Sequence, residues 1–213
     1  MKESEKKIFE RLENLYCEMD SAWEKIASLY GFICNGCDEN CCESEFYHHT
    51  LIEKKYLLKG FNQLPTPQII LATKRAKKVC TKRDIAAKKQ ESIRIMCPLN
   101  QDGKCILYKY RPMICRLHGI PHELVKPASY SSNSNTKPLS DINPILISDA
   151  NPVLSSGCNA GSELFSAKGY IKFDRTPFYS EMAAIEKEYL TTVVGKNVRN
   201  KQTIAQMLTK ISF

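Results

Sequence analysis

The chain has 213 residues, of which 25% are charged and 43% hydrophobic, a balance that is typical of a folded globular protein and excludes a disordered one. Its net charge is +8. No segment approaches the run of ~18 apolar residues that a membrane span needs, and the charged N-terminal segment predicts no secretory signal. We therefore expect a cytoplasmic protein with no membrane partner, whose thiols are kept reduced.

The first predicted element is an amphipathic helix over residues 5–30. Its apolar residues recur at steps of three or four and line one face. They are Ile8, Leu12, Leu15, Met19, Trp23, Ile26 and Leu29. We interpret this stripe as facing the core, with a dimer interface as the alternative, and Gly31 is a suitable residue to end the helix.

Two further helices are predicted in the next part of the chain, one over residues 50–60 that Gly60 would end, and one from about Gln68 to Ser92. The second helix is strongly basic between residues 74 and 89. There, eight basic residues stand against Asp84 alone, a local charge of +7: Lys74, Arg75, Lys77, Lys78, Lys82, Arg83, Lys88 and Lys89. This basic helix is either a solvated surface or a contact for an acidic partner or nucleic acid.

The C-terminal half is predicted to begin with a long Ser-, Asn- and Pro-rich loop over residues 126–162. A short strand at Tyr170–Asp174 follows, and Thr176 is expected to cap the first of the C-terminal helices at 177–211. The predicted fold is mainly α: a helical scaffold around irregular cysteine-rich metal-binding loops, with at most a short strand pair. We expect one metal-binding domain over residues 1–213.

Ten cysteines are the most informative feature of the sequence. We interpret Cys17 and Cys80 as incidental, because both lie within helical patterns. The other eight fall in the turn-rich segments 34–42 and 97–118 and at position 158. Closely spaced cysteines in turn-rich segments are typical of metal ligands. The predicted metal ligands are Cys34, Cys37, Cys41, Cys42, Cys97, Cys105, Cys115 and Cys158. Thiolates in this number suit zinc or iron, including an iron–sulfur cluster.

Local sequence around these cysteines predicts how they are positioned. The Asp102-Gly103 turn should fold Cys105 back towards Cys97. Pro112 should start a helix with Cys115 on its first turn, where the helix N-terminus would lower the thiol pKa. The side chains of the adjacent Cys41 and Cys42 should diverge, so either one is not a ligand or the two serve different ions.

Polar residues near the cysteines are predicted to have supporting roles. Lys104, Arg111 and Arg116 would compensate the negative charge of the thiolates. His118 could supply a nitrogen ligand at an open coordination position, whereas His48 and His49 should face solvent. No nucleophile elbow, P-loop, dinucleotide fingerprint or H-E-x-x-H motif is present, so any catalysis would use the metal or a reactive thiol.

The motif C-x2-C-x3-CC, followed by C-P-L-x-x-D-G-K-C-x-L-Y-x-Y-R-P-x-x-C-R, resembles the YkgJ-like cysteine-cluster family of zinc- or iron-chelating proteins. The resemblance covers about residues 32–120. It implies a metal site formed by the seven matched cysteines: Cys34, Cys37, Cys41, Cys42, Cys97, Cys105 and Cys115. The inclusion of Cys158 rests on its position and residue type.

The predicted function is therefore a metal-binding protein whose cysteine thiolates hold an iron–sulfur cluster or one to two zinc or iron ions. Related cysteine clusters occur in flagellin lysine methylases. A metal-dependent enzyme, either a redox catalyst or a relative of those methylases, is accordingly one alternative. A zinc-stabilised nucleic-acid-binding module is another, because the chain carries the basic helix.

Overall fold

The computed structural model of the chain describes residues 3–34, 41–127 and 147–209. Seven α-helices lie in these ranges: α1 (Glu3–Tyr30), α2 (Leu51–Phe61), α3 (Thr66–Lys89), α4 (Met113–Leu117), α5 (Ser162–Lys168), α6 (Thr176–Tyr189) and α7 (Ile204–Thr209). The same ranges hold the antiparallel pairs β1 (Asn100–Gln101) with β2 (Lys104–Cys105) and β3 (His122–Pro127) with β4 (Ile147–Ser155). The fold is mainly α, which confirms the predicted fold class.

A first hydrophobic core lies along the apolar stripe of α1. Ile8, Leu12, Leu15 and Met19 of this stripe are buried, as the helical period predicted. They pack with residues of α2, α4 and α6, among them Tyr56, Leu117, Ile185 and Tyr189. The stripe therefore faces the protein interior over most of its length, although Leu29 at its end is exposed.

A second core lies between α2, α3 and α7. Leu57 and Phe61 of α2 are buried there with Ala76 of α3 and Leu208 of α7. Because α2 contributes Ile52 and Tyr56 to the first core, it joins both cores through opposite faces. The helix starts with a capping hydrogen bond, in which the Glu53 N–H donates to the Thr50 hydroxyl over 3.4 Å.

Gly60 does not end α2, contrary to prediction, because the helix continues to Phe61. A Cβ atom at position 60 would clash with the Tyr110 ring. The glycine therefore permits close packing between α2 and the segment that precedes α4, which is a role that its sequence neighbours do not reveal.

The long loop predicted for residues 126–162 is wrong over its second half. Residues Ile147–Ser155 form β4, which pairs with β3 so that Leu124 lies opposite Val153. Residues 128–146 of the predicted loop lie outside the described ranges. The strand was missed because it lacks a clear alternating pattern and its partner is distant in sequence.

Two local predictions after the loop also need correction. Residues Tyr170–Asp174 do not form a regular strand; the Phe173 carbonyl accepts a 2.9 Å hydrogen bond from the Glu123 N–H, next to an isolated bridge between Glu123 and Asp174. Thr176 is the first residue of α6 rather than its N-cap. Its hydroxyl instead accepts a 3.0 Å hydrogen bond from the Val125 N–H, which ties α6 to β3.

The C-terminal helices follow the predicted pattern. α6 continues into a π-helical turn, Leu190–Val194, and ends at Gly195 in the left-handed conformation. Before α7, the Thr203 N–H donates to the Gln206 side chain over 2.9 Å, and the Gln206 N–H donates to the Thr203 hydroxyl over 3.3 Å. This reciprocal pair is a capping box. None of the described helices combines the length and apolar character needed to traverse a bilayer.

Candidate metal centre

Backbone hydrogen bonds bring the first two cysteine segments together. Cys41 and Cys42 lie in a 3-10 turn, Cys41–Glu43. The Cys97 N–H donates to the Cys42 carbonyl over 2.7 Å, and the Ile95 N–H donates to the Glu43 carbonyl over 3.3 Å. Residues that are more than 50 positions apart in sequence therefore lie side by side.

The tight turn predicted at Asp102-Gly103 is present. Both residues have positive φ angles, 52° and 81°, and they connect β1 to β2. The resulting hairpin places Cys105 opposite Asn100. The Asn100 N–H in turn donates to the Cys97 carbonyl over 3.0 Å, so Cys105 is folded back towards Cys97, as predicted.

The segment before Cys115 also has the predicted form. Arg111 and Pro112 are extended, and α4 begins at Met113. The Cys115 N–H donates to the Pro112 carbonyl over 3.0 Å. Cys115 therefore lies in the first turn of α4.

Six of the eight predicted ligands form one electrostatic group, which we call the six-cysteine cluster: Cys34, Cys41, Cys42, Cys97, Cys105 and Cys115. Negative charge on Cys115 or Cys34 raises the pKa of Cys41. Negative charge on Cys97, Cys105 or Cys42 likewise raises the pKa of Cys115. The thiols of these three chain segments are therefore close enough to influence one another electrostatically.

Cys41 and Cys42 do not diverge as we had predicted, because their thiols are hydrogen-bonded to each other. This hydrogen bond lowers the pKa of Cys42 to about 6 against the opposing effect of burial, and it raises the pKa of Cys41 above its ordinary value. Cys42 is consequently the member of this pair that ionises first.

The prediction that a helix N-terminus lowers the pKa of Cys115 is wrong. Desolvation of the Cys115 thiol, followed by the nearby cysteines, raises its pKa well above the ordinary value. Burial likewise raises the pKa of Cys97 to about 12, and it raises the pKa of Cys105. Desolvation outweighs the dipole of a helix only five residues long. Within the protein alone, the ionised forms of these three thiols are therefore disfavoured.

Two predicted ligands remain, Cys37 and Cys158. Cys37 lies outside the described residues. The Cys158 N–H donates to the Gly119 carbonyl over 2.9 Å, which ties position 158 to the turn after α4. Cys17 is exposed on α1, and Cys80 on α3 is packed against the second core.

The described side chains are not arranged around a metal ion. In residues 3–34, 41–127 and 147–209, no group of three or more His, Cys, Asp or Glu side chains is arranged to hold an ion. Metal ligation by the predicted cysteines stays a prediction.

A carboxylate on α1 joins two arginines of the chain segment that carries Cys115. Asp20 on α1 accepts a 2.9 Å hydrogen bond from Arg111 and a second hydrogen bond from Arg116. The Arg111 guanidinium stacks on the Tyr108 ring at 3.7 Å, and the Arg116 guanidinium lies 4.0 Å from the Tyr16 ring centroid. The two guanidinium groups face Asp20, and Arg116 also interacts with the buried carboxyl group of Glu53.

Arg111 also carries unused hydrogen-bond donors. Its Nε and Nη1 atoms are buried, and neither has a partner within the described part of the chain. Arg111 lies close enough to Cys105 to lower the pKa of that thiol, against the larger effect of burial. Buried donors are normally satisfied, so these two atoms fit a thiolate acceptor at the cluster.

Glu53 is a structural residue of the site that the sequence prediction missed. Its carboxylate is only 4% exposed, and it accepts hydrogen bonds from the Met113 N–H at 2.7 Å and the Thr50 hydroxyl at 2.6 Å. Burial raises the pKa of Glu53, while these hydrogen bonds oppose the rise. Thr50-x-x-Glu53 was a readable capping-box signal, but the contact with α4 was not.

His48 and His49 do not face solvent as predicted. His48 is buried rather than exposed, because its backbone pairs with Gln202 through hydrogen bonds of 2.9 and 3.1 Å. His49 is half-buried. The His118 ring packs against Phe46, and burial lowers its pKa, which leaves the neutral form that a metal ligand needs. Ligation by His118 stays a prediction.

Fold and site together define a mainly α protein in which three chain segments carry electrostatically coupled cysteines, with the half-buried Arg111 close to Cys105. No family model, no curated protein and no solved structure matches the chain.

Proposed function

We propose that this protein is a metal-binding protein, in which cysteine thiolates hold one to two zinc or iron ions or an iron–sulfur cluster. The observation that carries the proposal is the six-cysteine cluster, because desolvation and mutual repulsion disfavour its ionised form unless a cation is bound. The resemblance of its motif to the YkgJ-like cysteine-cluster family supports the same conclusion. A cytoplasmic location is part of the proposal, since reducing conditions keep these thiols free.

Each residue near the cluster has a role that follows from its chemistry. The cysteines bind as thiolates, and the raised pKa values of Cys97, Cys105 and Cys115 mean that metal binding would release protons. Arg111 and Arg116 offset the negative charge. Asp20 and Glu53 position those arginines and the first turn of α4, and they are not proposed ligands. A zinc ion would supply a structural link, whereas an iron–sulfur cluster would supply electron transfer.

Alkylation of the thiols in full-length protein tests this proposal. Cys34 and Cys17 are both exposed, but only Cys34 belongs to the cluster, so they form a matched pair. We expect iodoacetamide to modify Cys17 at one rate before and after chelator treatment. Cys34 should be protected as purified under anaerobic conditions and should react at least ten times faster once the metal is removed. Equal rates at Cys34 in both states would refute the proposal.

An optical spectrum of the same sample separates the two kinds of metal centre. Broad visible absorption that bleaches on reduction identifies an iron–sulfur cluster. A colourless sample with bound metal identifies zinc. A redox enzyme or a methylase relative would also need an open coordination position at the metal. We expect such a position near His118.

A further inference from the structure

The outer surface of α3 carries an unusual concentration of exposed lysines. Lys74, Lys77, Lys78, Lys82, Lys88 and Lys89 are all exposed, whereas Arg75 and Arg83 are half-buried. Arg75 donates to the Asn100 carbonyl over 3.1 Å, and Arg83 forms a 3.1 Å ion pair with Glu45. The arginines are therefore used inside the protein. None of the six lysines forms an ion pair with any described residue.

These six lysines lie on one side of the helix. At 3.6 residues per turn they span an arc of about 140°, opposite the buried residues Ala72, Ala76, Val79 and Ala86. Asp84, the only acidic residue of α3, lies at the edge of this arc. We call the arc the lysine face. It is a continuous positive surface about 22 Å long, given a rise of 1.5 Å per residue.

Three large aliphatic side chains are exposed on the same face. Ile70, Leu71 and Ile85 are 60%, 42% and 49% exposed, and lysines lie one helical turn from each of them. Exposed aliphatic side chains make no favourable interaction with water or with phosphate groups. A partner that accounts for the whole face must offer negative charge together with an apolar layer.

Two properties of the lysine face argue against nucleic acid as that partner. α3 contains no aromatic residue on which bases could stack, and no arginine points outward to read base edges. An anionic lipid bilayer, by contrast, attracts clustered lysines through its headgroups and accepts aliphatic side chains at the headgroup–acyl boundary.

We propose that the lysine face docks onto a membrane surface that contains anionic phospholipids, with Ile70, Leu71 and Ile85 inserted between the headgroups. This is surface binding and needs no membrane-spanning helix. It revises our expectation of no membrane partner. That expectation rested on a search of the sequence for long apolar segments, and such a search does not show which single apolar residues are exposed on the folded protein. The inference is independent of the metal centre.

The test is co-sedimentation of full-length protein with vesicles. We expect binding to vesicles of phosphatidylcholine with one quarter phosphatidylglycerol, weakened by salt, and none to pure phosphatidylcholine. A triple variant, Lys74→Gln, Lys78→Gln and Lys82→Gln, should bind about 100-fold more weakly. The double variant Ile70→Gln and Ile85→Gln, which removes no charge, should bind about 10-fold more weakly.

A matched control removes three exposed lysines from other helices: Lys7→Gln, Lys25→Gln and Lys187→Gln. It should weaken vesicle binding less than 3-fold, and all variants should keep the wild-type circular dichroism because each changed residue is exposed. The proposal is overturned if wild-type protein does not bind anionic vesicles or if the control weakens binding equally. Tighter binding to a 24-base-pair DNA duplex at the same salt, unaffected by the isoleucine variant, would overturn it in favour of nucleic acid.

Discussion

The carboxylate of Glu53 accepts a 2.7 Å hydrogen bond from the backbone N–H of Met113, the first residue of α4. Glu53 lies in the first turn of α2, so this hydrogen bond joins the N-terminal turns of two helices. The two bonded residues are 60 positions apart in sequence. The Tyr16 hydroxyl of α1 donates to the same carboxylate over 3.4 Å. One buried side chain thus fixes α4, which carries Cys115, against both α1 and α2.

Replacing Glu53 should therefore destabilise the protein. Glu53→Ala leaves the Met113 N–H buried without its acceptor, and we expect the free energy of unfolding to fall by about 2–4 kcal/mol. Glu53→Gln keeps one acceptor and should cost about half as much. Urea unfolding measures both. Glu10→Ala, at the exposed 3.9 Å pair with Lys6, should change stability by less than about 0.5 kcal/mol, and an equal loss there would contradict this account.

Asp20 is expected to stabilise the protein through the two guanidinium groups that it joins. Asp20→Asn removes the only carboxylate that pairs with Arg116 in the described residues. Because Arg116 is buried, we expect a loss of about 3 kcal/mol in the free energy of unfolding. Glu24→Gln, one turn along the same helix and exposed, is the control and should be neutral. If both variants unfold at the same urea concentration, the proposed role of Asp20 is wrong.

Gly60→Ala tests the close packing of α2 against Tyr110. Alanine normally favours a helix by up to about 1 kcal/mol over glycine. Here the added Cβ meets the Tyr110 ring, so we expect a net loss of about 1–3 kcal/mol in the free energy of unfolding. In a Tyr110→Ala background the same change should become neutral or stabilising. Calorimetric melting of the four proteins decides this, and a loss of equal size in both backgrounds would be inconsistent with the steric explanation.

His48 predicts a specific pH dependence of stability. Burial, followed by His49, lowers its pKa from 6.5 to about 3. Below pH 6.5 the unfolded chain therefore binds a proton that the folded protein does not, so the free energy of unfolding falls as the pH drops towards 3. The contribution approaches about 1.4 kcal/mol per pH unit.

The variant His48→Leu removes this titration and keeps the others. We measure the free energy of unfolding in urea at pH 7, 6, 5 and 4. The value for the variant should rise relative to that of the wild type as the pH falls, and most of this relative increase should occur below pH 6. Parallel stability curves for the two proteins would show that His48 is not held neutral by the fold.

Features that depend on neighbouring residues could be predicted from the sequence. The stripe of α1, the turn at Asp102-Gly103 and the start of α4 near Cys115 all follow from local periodicity or turn chemistry. Burial of His48, by contrast, requires Gln202, and the role of Glu53 requires Met113. Such contacts join distant segments and leave no local pattern, which is why the polar support of the site was missed.

Cys115 shows the same limit of prediction from local sequence. Its position at a helix start was predicted correctly, but the direction of its pKa shift was not. The sign depends on how much protein surrounds the sulfur atom, and that is set by the packing of α1, α2 and the β1–β2 hairpin together. Residue type and spacing identified the candidate ligands, while their electrostatics needed the tertiary structure.

The zinc and iron content of anaerobically purified protein is the most direct test of the metal centre. We expect at least one equivalent of zinc plus iron per chain in the wild type and in Cys17→Ser, and a loss of most of this metal in Cys97→Ser and Cys115→Ser. Less than one equivalent in the wild type, or equal metal in all four proteins, would contradict the central claim that these buried thiols gather around a cation.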